Sequence, residues 1–175
     1  MFVMDHNALN TVRQITRSEF APILTVGVGD GQWIRALLAD GYMNTTVVDP
    51  SEAAITAAQE SFSEYDILVR WLCVDLLHAP LKTNRYALWL DGTLFDRLVL
   101  NEQRLEYLEF MQSRLRAEGV AILITSCDLP TLMSTQADCQ LELIDSEISS
   151  QNQSNPSNDA ATPRVWVIKQ HAVVV

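Results

Sequence analysis

Apolar residues along this chain follow two alternating rhythms: short continuous runs, and stripes that recur every third or fourth position. That alternation predicts strands interleaved with amphipathic helices, the pattern of a parallel sheet covered by helices on both faces. Leu9, Val12 and Thr16 mark one side of a helix over Asn7 to Glu19, and Ile23 to Val28 reads as a buried strand. Trp33, Ile34, Leu37 and Leu38 then recur at helical spacing up to Gly41, a residue type that commonly ends helices. Thr45-Thr46-Val47-Val48 is β-branched and strand-like, with Asp49 at its tip. Pro50 fixes φ for a following helix lined by Ile55, Ala58 and Phe62.

The same alternation continues downstream. A third strand is predicted within Ile67 to Val74, ending at Asp75, and a fourth over Tyr86 to Leu90, ending at Asp91-Gly92. Asn101 to Arg116 carries Leu105, Leu108, Met111 and Leu115 on one stripe, with Arg114 and Arg116 in its last turn, where the helix dipole favours cations. Gly119 releases the chain into Val120 to Ile124, apolar throughout and so a central strand. Beyond Pro130 follow a short helix, a strand near Leu141 to Ile144, a polar loop over Ser149 to Arg164 and a last strand, Arg164 to Ile168. The final two strands suit an antiparallel hairpin. The expected fold is therefore α/β: a Rossmann-like, doubly wound, mostly parallel sheet of about seven strands in three αβα layers. Residues 1–22 form an N-terminal helical segment and residues 23–175 the ligand-binding domain.

Composition narrows the partners. Of 175 residues 48% are hydrophobic, enough to bury a core, and 22 acidic against 12 basic residues leave a net charge of −10. That charge repels nucleic acid and anionic lipid, so neither is favoured as a partner, and a basic protein or a small molecule fits better. The first residues lack a positive segment followed by an apolar one, and no apolar run has membrane-span length, so neither a secretory signal nor a membrane anchor is expected. Three scattered cysteines, Cys73, Cys127 and Cys139, give no disulfide framework and no metal motif, which points to a reducing, cytoplasmic setting. Oligomeric state is not legible.

Candidate chemistry gathers where strands end. Open parallel sheets bind ligands at the carboxyl ends of their strands, beside the reversal of strand order. Gly27, Gly29 and Gly31 leave room for a ligand to approach the backbone next to a helix N-terminus, and Asp49 is placed to accept hydrogen bonds from ribose hydroxyls. A nicotinamide dinucleotide would use the same features, but its fingerprint is GxGxxG or GxGxxA, and here Gln32 holds the sixth position. A bulky residue there hinders helix and strand packing under a pyrophosphate, whereas a phosphate-free adenosyl ligand needs only the loop. Asp49, Asp75 and Asp91 recur at successive strand tips, which strengthens the case for a ligand site over a bare turn.

These segments resemble the class I S-adenosylmethionine-dependent methyltransferases from Ile23 to Ile168. Thr25-Val26-Gly27-Val28-Gly29-Asp30-Gly31 resembles the family's first motif, Val47-Val48-Asp49-Pro50-Ser51 its second strand and Val74-Asp75-Leu76 its third. The resemblance implies S-adenosyl-L-methionine as cofactor, with Gly27 and Gly29 at its methionine portion, Asp49 at the ribose, and Asp75 with Leu76 at the adenine. Val28, Gly31, Trp33, Pro50 and Asp91 complete the expected cofactor set. A narrower resemblance is to lysine methyltransferases acting on translation elongation factor 1-alpha. Leu90-Asp91-Gly92-Thr93-Leu94-Phe95-Asp96 is similar to their DKGT-like motif, and Ile124-Thr125-Ser126-Cys127-Asp128 to their ITSCN-like motif. Thr25 and Leu90 stand where those families usually carry acids.

Methyl transfer from a sulfonium is an in-line displacement needing no protein nucleophile. Asp91 is the candidate to orient an acceptor amine, with Thr93 and Asp96 behind it, although Asp91 before Gly92 equally suits a plain turn. The implied enzyme is a methyltransferase acting on a lysine of a basic protein. The alternatives are a small-molecule methyltransferase of thiol or chalcogen oxyanion type, and a non-catalytic binding module with the same fold. His6, His78 and His171 lack ligand spacing and no metal is expected.

Overall fold

The computed structural model describes residues 6–134, 139–144 and 164–170. Seven strands, β1 (Ile23–Val26), β2 (Thr45–Asp49), β3 (Val69–Cys73), β4 (Tyr86–Asp91), β5 (Leu115–Thr125), β6 (Cys139–Ile144) and β7 (Arg164–Gln170), form one sheet in the order β3-β2-β1-β4-β5-β7-β6. The first five run parallel; β7 pairs antiparallel with β5 and with β6. The chain therefore starts in the middle of the sheet, builds outward to β3 and returns to lay β4 on the other side of β1. This is the α/β architecture expected from the alternating pattern, including the hairpin beside β5. The polar stretch after Ile144 lies outside the described residues as far as Arg164.

Side chains alternate between the two faces of each strand, so the sheet buries both. On one face Leu24, Val26, Trp89 and Leu123 pack with Phe95 of α4 (Leu94–Arg97) and with Tyr107, Leu108 and Met111 of α5 (Asn101–Arg114). On the other, Ile23, Leu88, Leu90 and Ile122 meet Val12 of α1 (His6–Ile15) and Leu37 of α2 (Gln32–Ala39). Val47 and Val69 meet α2 and α3 (Glu52–Ser61) through Ile34, Leu38, Ile55 and Ala58. Each such fully buried aliphatic side chain contributes about 1.5–3 kcal/mol.

Several boundaries differ from the periodicity reading, each for a local reason. The first helix ends at Ile15, and just beyond it the Tyr42 hydroxyl donates to Thr16 O (2.9 Å), giving a helix-end carbonyl a partner outside the helix. Pro50 lies outside α3: Ser51 caps that helix by accepting from Ala54 N–H. Residues Ser63–Leu68 wind into a 3-10 helix before β3 begins. Helix α5 ends at Arg114 rather than Arg116, since Leu115 is already paired with Tyr86 in the sheet. A short helix, α6 (Leu129–Met133), follows β5. The bidentate ion pair of Arg13 with Asp40 (2.6 and 2.7 Å) ties α1 to the end of α2 and holds the Asp40 carboxyl below its usual range. Among the described residues no helix is long and apolar enough to cross a membrane.

Candidate functional site: a cleft between two aspartate-held turns

Strand order reverses between β1, which leads to β2, and β4, and a cleft of about 240 Å3 opens at their carboxyl ends. Its floor is the turn after β1, Gly27, Val28 and Gly29; Asp30, Gln32 and Trp33 continue one side, and Gly92, Thr93 and Ile124 form the other. The floor needs glycine. Gly27, Gly29 and Gly31 all have positive φ (79°, 56° and 74°), a conformation L side chains resist. A Cβ on Gly27 would stand 2.9 Å from Thr93 Oγ1, so the two walls touch there, whereas one on Gly29 would meet nothing within 4 Å. Gly31 has another part: it is buried, and a Cβ there would press on the Phe62 ring at 3.2 Å. It seats the loop on the end of α3 rather than lining the cleft.

The glycine turn is held by Asp49. Oδ2 accepts from Val28 N–H (2.8 Å) and Oδ1 from Ser51 N–H (2.8 Å), which joins the turn after β1 to the tip of β2. The side chain is half-buried, and each carboxylate oxygen has a second lone pair beyond the bond it makes here. Asp30 accepts from Gln32 N–H (3.1 Å) and so opens α2, whose first N–H groups lie next to the cleft.

The opposite wall is held by Asp91, and here the sequence expectation meets a different geometry. Asp91 is 1% exposed. Oδ1 accepts from Thr93 N–H (2.8 Å) and Leu94 N–H (2.8 Å); Oδ2 accepts from Phe95 N–H (3.0 Å) and the Tyr107 hydroxyl (2.7 Å). All four strong acceptor positions are taken, and the carboxylate faces the protein interior. Burial pushes its pKa up, against the lowering effect of the Tyr107 and backbone donors; burial first, then the nearby Asp91 charge, pushes the Tyr107 hydroxyl far up. Asp91 therefore shapes the wall from behind and does not open on the cleft.

Asp96 is likewise engaged. Its carboxylate accepts from the Thr125 hydroxyl, from Ser126 N–H (3.1 Å to Oδ1) and from Ser126 Oγ (3.2 Å to Oδ2). The two motif-like segments, Asp91 to Asp96 and Ile124 to Asp128, are thus fastened together at the sheet edge. Cys127, next along, has a thiol pushed up chiefly by burial.

Of the expected site residues, Gly27, Val28, Gly29, Trp33 and Thr93 line the cleft together. Asp49, Pro50 and Asp75 stand along the same edge on β2 and beyond β3, outside the cleft lining. Asp75 accepts from Leu77 N–H (3.0 Å) and caps a 3-10 turn; the Leu76 side chain is 3% exposed and packs in the core. Thr25 and Leu90 are direct partners across β1 and β4, and the buried Thr25 hydroxyl has no hydrogen-bond partner. Sequence reasoning passed over Gln32, Gly92 and Ile124 as lining residues, and Phe62 and Tyr107 as supports. Tyr107 was signalled by its place four residues before Met111 on the buried side of α5.

The cleft suits an adenosyl cofactor on its own terms: a floor with free space over Gly29, a helix start beside it, and Asp49 with acceptor capacity one strand away. Comparison with known proteins agrees. Residues 23–119 match the family model described as a methyltransferase domain, and the chain belongs to that family. Its class is that of the S-adenosylmethionine-dependent, class I methyltransferases, whose cofactor is S-adenosyl-L-methionine. Among curated proteins it is 27% identical over 133 residues to EEF1A lysine methyltransferase 2 of Danio rerio, covering 70% of this chain and 55% of that protein. The chain thus spans about half the length of that relative. Among solved structures it resembles the N-methyltransferase NodS of Bradyrhizobium japonicum in complex with S-adenosyl-l-homocysteine (TM-score 0.68, 16% identity, covering 95% of this chain and 85% of that one). It also resembles a SAM-dependent O-methyltransferase of Thermotoga maritima (TM-score 0.69, 9% identity, covering 98% and 68%). At these identities the structural likeness speaks for the fold.

Proposed function

We propose that this chain transfers a methyl group from S-adenosyl-L-methionine to a lysine amine of a basic protein. The observation that carries the reading is the cleft at the β1–β4 divergence, with open space over Gly29 and Thr93 on the facing wall. The lysine acceptor is supported by the likeness to an EEF1A lysine methyltransferase, and the net charge of −10 favours encounter with a cationic partner.

In this reading Gly27, Val28 and Gly29 cradle the methionine portion, Asp49 accepts from the ribose hydroxyls while retaining Val28 and Ser51, and Pro50, Asp75 and the Leu76 backbone border the adenine. The bound cofactor supplies an electrophilic methyl on a sulfonium. The protein's work is to align the acceptor and exclude water. Trp33 and Ile124 give the cleft apolar walls, and Thr93 is the polar side chain on the acceptor's side. Asp91 and Asp96 act as positioning residues: one fixes the Gly92–Thr93 turn, the other fastens α4 to the end of β5.

The test has two stages. Calorimetry with S-adenosylmethionine, S-adenosylhomocysteine and NAD should show binding of the first two, and binding of NAD alone would sink the reading. Transfer of labelled methyl is then measured on cell lysate, with and without protease, and on recombinant elongation factor 1-alpha. Protease-sensitive label supports a protein acceptor, and label confined to small molecules overturns it.

A further inference from the structure

Helix α5 lies behind the cleft, yet one of its side chains reaches the group that shapes the cleft wall. The Trp89 indole N–H donates to the Tyr107 hydroxyl (2.8 Å), which donates to Asp91 Oδ2 (2.7 Å). Asp91 in turn gathers the amides of Thr93, Leu94 and Phe95, and Thr93 Oγ1 closes against the glycine turn at Gly27. All three side chains are buried, with Trp89 and Phe95 set edge-on to the Tyr107 ring at 6.1 and 5.3 Å between centroids. The ring is thus pinned on two sides and its hydroxyl has one orientation that satisfies both neighbours.

We propose that Tyr107 is a positioning residue of the cofactor cleft: by donating to Asp91 it aligns that carboxylate on the first amides of α4, and so sets the Gly92–Thr93 wall against the glycine turn. The inference rests on the cofactor reading above for its functional consequence, but its structural half stands independently. The groups facing the Asp91 carboxyl are the Tyr107 hydroxyl and the amides of Thr93, Leu94 and Phe95. Without the hydroxyl the same amides share a carboxylate that takes up a proton more readily, because one of the donors that counter its burial is gone. A protonated carboxyl is a weaker acceptor, and the α4 amides loosen.

This gives the Tyr107→Phe variant a signature that general loss of core packing does not produce. The ring and its contacts remain, so the variant folds with a lowered Tm. Its affinity for S-adenosylhomocysteine falls about tenfold at pH 8, because part of the free energy of the lost bond returns as the cost of re-seating the loosened wall on binding. The sign with pH follows from the proton balance. Asp91 has a raised pKa when folded and a still higher one in the variant, so acidification protonates the variant first. Protonation relieves the buried charge, and the stability deficit of the variant relative to wild type shrinks as pH falls. The affinity deficit grows over the same interval.

The experiment compares wild type, Tyr107→Phe and Phe110→Ala from pH 8 down to the lowest pH at which all three stay folded, by calorimetry with S-adenosylhomocysteine, thermal unfolding and amide hydrogen exchange. Phe110 packs edge-on to Trp89 from the same helix without touching Asp91, so its truncation lowers Tm alone. The expected result is selective acceleration of exchange at Thr93, Leu94 and Phe95 in Tyr107→Phe, with affinity and stability deficits moving in opposite directions. Unchanged affinity and exchange in Tyr107→Phe, or equal affinity loss in Phe110→Ala, would overturn the proposal. If wild type binds no S-adenosylhomocysteine the cofactor reading fails, while the exchange measurement still decides whether Tyr107 holds the wall.

Discussion

The two walls of the cleft use one device, an aspartate at a strand tip accepting backbone N–H groups, in two different environments. Asp49 is half-buried, holds two amides and keeps an unused lone pair on each oxygen; Asp91 is buried, holds three amides and a tyrosine hydroxyl, and has none to offer. The glycine turn is therefore held by a carboxylate that still has acceptor capacity to spare. The Thr93 wall is a rigid stop whose carboxylate is spent on the fold. A carboxylate at a strand tip carries either chemistry, and burial decides which.

Removing the acids separately should expose that difference. Asp91→Ala leaves three amides and a tyrosine hydroxyl in the core without their acceptor; the cost is about 3 kcal/mol or more in urea unfolding, with cofactor binding lost as a consequence. Gly27→Ala forces a methyl against Thr93 Oγ1 at a positive φ, so the walls part: about 1 kcal/mol or more of stability and at least about tenfold in S-adenosylhomocysteine affinity by calorimetry. Asp49→Ala is the sharpest contrast with Asp91→Ala. Its amides lie near solvent, so it costs about 1 kcal/mol in stability, yet ligand-induced thermal stabilisation should vanish. Smallest is Arg13→Ala, far from either wall. It should lower Tm slightly at neutral pH and leave cofactor affinity as in wild type. Because the pair lowers the Asp40 pKa, its contribution is present above the ordinary carboxylate range and is lost as pH falls through the folded value.

The contrast also explains what the sequence made legible. Strand tips and the glycine turn were readable because apolar runs end abruptly in Gly or Asp, and both the parallel core and the hairpin followed from that punctuation. The glycines could be found but not told apart: Gly31 differs from Gly29 only through Phe62, 31 positions away in the chain and brought close by α3. Asp91 read as a candidate for touching substrate since nothing local announces burial; that required Tyr107, sixteen positions on in α5. The short helix α4 escaped periodicity altogether, being four residues long and started by the same Asp91 carboxylate. Contacts within an element were visible, and contacts that assign a role across elements were not.

The placement of Trp33 has a consequence for measurement. Of the four tryptophans it is the one lining the cleft, and its indole nitrogen lies 3.5 Å from where a Cβ on Gly92 would stand. Trp89 and Trp166 are buried in the core, and Trp71 stacks on Phe62. The protein thus carries its own optical reporter of the cleft against a steady background. Titration with S-adenosylhomocysteine should shift emission in wild type, and Trp33→Phe should erase the shift while calorimetry still registers the ligand.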